Sequence, residues 1–66
     1  MQIEVNGKPR EVAGDASVAD LVAELELDDR LVVVELNREI VRRTERSAVG
    51  LQPGDRVEIV HFVGGG

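Results

Sequence analysis

Apolar residues recur at helical spacing in only one stretch of this chain, Val18, Leu21, Val22 and Leu25; every other apolar run is short and either alternates with polar residues or is β-branched. A lone amphipathic helix among several strands has few ways to bury its stripe, and the two-layer solution is one sheet with the helix laid across one face. Size tightens this constraint. A domain of 66 residues buries only about 60% of the surface its unfolded chain exposes, so nearly every aliphatic side chain is needed in one core and little remains to wall an enclosed active site. At 42% hydrophobic and 32% charged residues, the composition suits one small folded domain, assigned here to residues 1–63 with glycines 64–66 as a flexible tail. There is no cysteine, which removes disulfides, thiolate metal sites and a cysteine nucleophile.

The strands can be placed from turn chemistry and alternation. Met1, Ile3 and Val5 alternate with polar residues, Asn6-Gly7 interrupts, and an extended pattern resumes from Arg10 to Val12, which together predict a β-hairpin. Ser17 precedes the helical stripe as a cap, with Asp20 at the third helical position, and the helix is expected to run for about 9 to 11 residues. Leu31-Val32-Val33-Val34-Glu35-Leu36 reads as a central strand, Asn37-Arg38 as a turn and Glu39-Ile40-Val41 as a short strand. Residues 44–50 carry no periodic signal. Pro53-Gly54 marks a turn before the last strand, Val57-Glu58-Ile59-Val60-His61-Phe62-Val63. The expected class is α+β, a mixed four- to five-stranded sheet in the order β-β-α-β-β-β with one helix packed across one face.

Charge excludes several functions. The net charge of −5 argues against sequence-independent nucleic-acid binding and favours a basic protein partner. Seven acids and no base lie between Glu11 and Asp29, whereas Arg38, Arg42, Arg43 and Arg46 crowd a later segment, where Glu39 and Glu45 dilute any phosphate-binding field. No apolar stretch approaches the roughly 20 residues that span a bilayer, and the start is not that of a signal peptide, so the cytoplasm is expected and a membrane is not. Ser17 is explained as a cap, and one histidine with scattered carboxylates lacks metal-ligand spacing. His61 falls on the inward register with Ile59, where partial burial is expected. An enzyme acting alone is not expected.

Two features point instead to partners. Period-two counting from Glu58 places Val60 and Phe62 on the outer sheet face, and counting from Glu35 places Leu31 and Val33 there too. If the two strands are neighbours, Val33, Val60 and Phe62 form an apolar patch of the kind that marks an interface. The alternatives are a β-bulge that turns Val60 or Phe62 inward, or aliphatic residues tolerated on a surface. The second feature is Gly64-Gly65-Gly66, which follows the last strand. Without Cβ atoms such a tail can enter a narrow channel and present the Gly66 carboxylate to another protein's chemistry; a frayed end is the alternative.

Ser17-Val18-Ala19-Asp20-Leu21, Val34-Glu35-Leu36-Asn37-Arg38-Glu39-Ile40-Val41 and, most specifically, Gly54-Asp55-Arg56-Val57-Glu58-Ile59-Val60 running to Gly65-Gly66 resemble the ThiS family of sulfur carriers in thiamin biosynthesis. The resemblance covers the whole chain. It implies a ubiquitin-like β-grasp in which the last strand lies between the first and the third. It implies that a ThiF-like adenylating enzyme uses Mg-ATP to activate Gly66, and that sulfur taken from cysteine by a desulfurase then leaves a C-terminal thiocarboxylate. A thiazole synthase is the expected acceptor enzyme, and no cofactor is bound by the carrier itself. Gly65 is the unhindered neighbour and Gly64 the spacer, while Val33, Val60, Phe62 and Val63 are the expected partner contacts. Three glycines stand where the family's minimal signature is two. Three extended residues reach only about 10 Å, so a deep pocket would also require Val63 and Phe62 to peel from the sheet. Carriers for molybdopterin, tRNA thiolation or cysteine synthesis share these features, and a β-grasp interaction module that ignores the tail is a further alternative.

Overall fold

The structure, a computed structural model, describes residues 1–62. Five strands and one helix follow the expected order: β1 (Gln2–Val5), β2 (Lys8–Glu11), α1 (Val18–Glu24), β3 (Val32–Leu36), β4 (Glu39–Val41) and β5 (Arg56–His61), with 3-10 turns at Asp29–Leu31 and Arg43–Glu45. The strands form one mixed sheet in the order β2-β1-β5-β3-β4. Only β1 and β5 are parallel.

Both tight hairpins rest on left-handed backbone. Asn6 and Gly7 take φ of 51° and 82°, as a two-residue hairpin turn requires, and Asn37 and Arg38 repeat the arrangement at 50° and 73°. Arginine is strained there, and the turn holds because Asn37 is tied down from both ends of its side chain. Its Nδ2 donates to Asp55 Oδ1 at 3.1 Å, and its Oδ1 accepts the Arg56 N–H at 3.0 Å.

The start of α1 is as expected and its end is not. Ser17 Oγ accepts the Asp20 N–H at 3.1 Å while Asp20 Oδ2 accepts the Ser17 N–H at 2.9 Å, a reciprocal box that satisfies two donors at the helix entrance. The helix has seven residues, shorter than the spacing predicts. Glu26 turns left-handed at φ 58°, and the N–H groups of Glu26 and Leu27 return to the carbonyls of Ala23 and Val22, closing a Schellman motif. A glycine would ordinarily mark such an end; a glutamate does not.

The helix drives Val18, Leu21 and Val22 onto Ile3, Val32, Val34, Val57 and Ile59 from the sheet, and Val12, Ala16, Val41 and Leu51 close the periphery. Residues 44–50 give this layer a fixed border. Val49 and Arg46 offer their carbonyls to the N–H groups of Val18 and Ala19, so this segment supplies acceptors for the first turn of α1. Arg46 is itself buried. Its Nη1 donates to the Asp29 carbonyl and to Asp29 Oδ1, both at 2.8 Å, and its Nη2 donates to the Val32 carbonyl at 2.8 Å. Of the four arginines that crowd this segment, Arg46 is thus committed to the fold.

His61 is also corrected: it is exposed. It pairs with Val32 at the very start of β3, where the adjoining structure is the polar Asp28–Arg30 turn, so among the described residues no apolar layer covers it.

Candidate functional site

β3 and β5 pair antiparallel without interruption from Val32 opposite His61 to Leu36 opposite Val57, so no bulge reverses the alternation. One further bond, from the Phe62 N–H to the Leu31 carbonyl at 2.7 Å, extends the ladder. The outer face is therefore a series of rungs: Leu31 with Phe62, Val33 with Val60, then Glu35 with Glu58. The first two are apolar. Phe62 and Val60 are 56% and 55% exposed, Leu31 is at the margin of exposure, and Val33 is half-buried beneath them. The expected patch is thus present as geometry, on the sheet face opposite α1.

Ile40 enlarges it. At 69% exposure it is the most exposed large aliphatic among the described residues, and it pairs with Glu35, which puts it on the same outer face. Alternation with Val41, which faces the core, puts the adjacent Ile40 on the outer side. Elsewhere the outer face is polar, with Glu4 and Arg56 paired across β1 and β5 at 3.5 Å. Leu31, Val33, Val60 and Phe62 lie at the end of β5 that leads toward residue 63, and Ile40 lies apart from them on β4.

How β5 is held there depends on a residue that sequence reasoning assigned only to a turn. β1 pairs with β5 at just two positions, Glu4 with Arg56 and Val5 with Val57. The Asn6 side chain supplies what would be the next rung, its Nδ2 donating to the Ile59 carbonyl at 3.1 Å and its Oδ1 accepting the Ile59 N–H at 2.8 Å. A primary amide can do this because it carries a donor and an acceptor side by side, like a peptide group. Past Ile59, β3 alone provides described pairing for β5. Val63, Gly64, Gly65 and Gly66, the remaining predicted site residues, lie outside the described residues.

The arginine segment is largely occupied by its own structure. Arg43 Nε donates to Asp29 Oδ2 at 2.7 Å, opposite the bonds that Arg46 makes to the same residue. Hydrogen bonds from Arg43 and then Arg46 hold the Asp29 carboxyl below its ordinary pKa, and Arg30 does the same for Asp28. Among the described residues no group of three His, Cys, Asp or Glu side chains is placed to hold a metal ion. Nor is any helix there long and apolar enough to cross a membrane. What the described residues do present is an exposed apolar patch on the outer sheet face.

A single helix across a five-stranded mixed sheet, with the last strand between the first and third and parallel to the first, is the ubiquitin-like β-grasp. The ThiS family model matches residues 3–66, and the chain belongs to that family. It is 40% identical over 65 residues to the sulfur carrier protein ThiS of Bacillus subtilis, covering 97% of this chain and 98% of that one. It is 41% identical over 66 residues to a thiazole synthase of Paramagnetospirillum magneticum, covering all of this chain but only 20%, about a fifth, of that protein's length. Among solved structures, the crystal structure of the thiamine biosynthesis protein ThiS from Geobacter metallireducens superimposes with a TM-score of 0.84 at 39% identity, with full coverage of both chains.

Proposed function

We propose that this protein carries sulfur for formation of the thiazole of thiamin, with Gly66 as the carrier residue. The observation that supports this best is the end-to-end similarity to a B. subtilis protein that is itself a sulfur carrier of the same length. An α-carboxylate, with a reference pKa of about 3.3 to 3.7, is ionised at neutral pH and is a poor acyl electrophile. It therefore needs activation by a partner. In this reading a ThiF-like enzyme uses Mg-ATP to convert the Gly66 carboxylate to an acyl adenylate with release of pyrophosphate, and the terminal sulfur of a persulfide that a desulfurase forms from cysteine displaces AMP to give an acyl disulfide, which a thiol reductant cleaves. The product is a thiocarboxylate, and the acceptor enzyme is a thiazole synthase. The ThiS-like segment shared with the P. magneticum thiazole synthase favours that choice of acceptor.

The chain's own residues position and do not catalyse. Gly65 lets a partner's channel close around the backbone beside the reacting carbon, Gly64 gives reach, and Val33, Val60, Phe62 and Val63 meet the activating enzyme. Nucleotide and metal belong to that enzyme, the carrier binds no cofactor, and the cytoplasm is the compartment in which these partners are expected. The test is the mass of the C-terminal peptide after incubation with a ThiF-like enzyme, Mg-ATP, a cysteine desulfurase, cysteine and a thiol reductant. ATP-dependent replacement of one Gly66 oxygen by sulfur is the expected result. An unchanged peptide, under conditions where the same enzymes load the B. subtilis carrier, would contradict the proposal.

A further inference from the structure

The third outer rung, Glu35 opposite Glu58, has no evident structural benefit. Like charges facing each other across an antiparallel pair are destabilising. Among the described residues no cation lies within ion-pair distance of either carboxylate: Arg56 is engaged by Glu4, Arg42 by Glu45, and Arg43 and Arg46 by Asp29. Arg38 and Arg56 share a shallow depression with Glu58, yet neither closes a pair with it. Apolar residues border the rung on two sides, Val33 and Val60 along the strands and Ile40 across from Glu35 on β4, while Asn37, Arg38 and Arg56 border it on the side of Glu58. A surface that covers Val60, Val33 and Ile40 together reaches Glu35, which follows Val33 on the same face of β3 and faces Ile40.

Two carboxylates taken out of water side by side are strongly unfavourable unless a cation accompanies them. We propose that the activating enzyme brings one arginine to the Glu35–Glu58 rung when its apolar surface covers the neighbouring rungs. Arginine fits better than lysine, because its planar fork offers donors to two carboxylates whose backbones stand about 5.5 Å apart. The rung then sets the orientation of docking, because rotating the carrier on the patch would strand the guanidinium against aliphatic side chains. This inference rests on the docking role proposed above for Val33, Val60 and Phe62.

The experiment measures steady-state adenylation of the carrier by a ThiF-like enzyme with Mg-ATP, together with urea unfolding of each free carrier. The variants are Glu35→Gln/Glu58→Gln, Val60→Asp, and Asp15→Asn as a control for net charge at an exposed site. The double glutamine variant is expected to unfold at the same or higher urea than wild type, to raise KM by about tenfold with kcat at saturation unchanged, and to flatten the salt dependence of KM. Asp15→Asn is expected to leave KM unchanged. If the double variant keeps its KM while Val60→Asp raises it, the patch docks but the rung is not recognised, and the inference fails alone. If neither variant changes KM, the docking reading fails as well. A wild-type dimer that dissociates in the double variant would assign the arginine to a second copy of this chain and overturn the enzyme as its source.

Discussion

Val34 and Ile59 face each other across β3 and β5, and both are buried; one residue along the same two strands, Val33 faces Val60, which is 55% exposed. The residue types and backbone are alike, and the only difference is which side of the sheet each pair meets. On the inner side the pair is closed by Leu21 and Val22 of α1, and its burial contributes to folding. On the outer side the described chain provides no covering layer, so the same aliphatic chemistry is left exposed. A chain of 66 residues has one core, and apolar area left out of it costs solubility without strengthening the fold. The comparison therefore assigns stability to one face and leaves the other for the recognition role proposed above.

Substitutions on the two faces should break that comparison most sharply. Leu21→Ala, at a fully buried position under the sheet, is expected to cost about 2–5 kcal/mol in urea unfolding, whereas Val60→Ala should change stability by no more than about 0.5 kcal/mol. Comparable losses at the two sites would mean that the outer face is part of the folding core. Arg46→Ala comes next. It removes three hydrogen bonds and leaves the Val32 carbonyl without this partner, so a loss of about 2–3 kcal/mol is expected, although a surface arginine would be nearly silent.

Glu26→Gly should act in the opposite direction. Relief of the left-handed strain at φ 58°, offset by a freer unfolded chain, gives a net gain of about 0.5 kcal/mol, readable as a higher unfolding midpoint. The smallest effect is on pH. Asp28 and Asp29 have folded pKa values lowered from 3.8 by their arginine partners, so their contribution is complete above that value and is lost as pH falls through the folded values. Unfolding midpoints measured from about pH 5 downward should decline in acid, and Asp29→Asn should make that decline shallower.

Much of the architecture was legible because it is local. Asn6-Gly7 announces its turn, Ser17 and Asp20 announce the helix, and strict alternation around Glu35 and Glu58 separates the inner from the outer aliphatics. What was hidden depends on contacts distant in sequence. Arg46 looks like any other of the four crowded arginines until the fold brings Asp29 and the Val32 carbonyl to it. Asn6 looks like a turn residue until β5 passes beside it, 53 positions along the chain. Glu26 ends the helix without a glycine because the return bonds of the Schellman motif hold it. His61 followed the correct register and still came out exposed, since the alternation names a side of the sheet and not how far the opposing layer extends. In the candidate site, Val33, Val60 and Phe62 were found by counting, and Ile40 was missed because its strand is only three residues long.

The division of labour between the two faces is tested most directly at Phe62, which is 56% exposed and next to the proposed carrier tail. The measurement is KM for the carrier in adenylation by a ThiF-like enzyme, compared between wild type and Phe62→Ala, with urea midpoints taken on the same preparations. The account predicts an increase in KM of about tenfold, as expected for loss of an aromatic contact at an interface, with the midpoint unchanged. An unchanged KM, or a fall in stability large enough to explain the change, would contradict it.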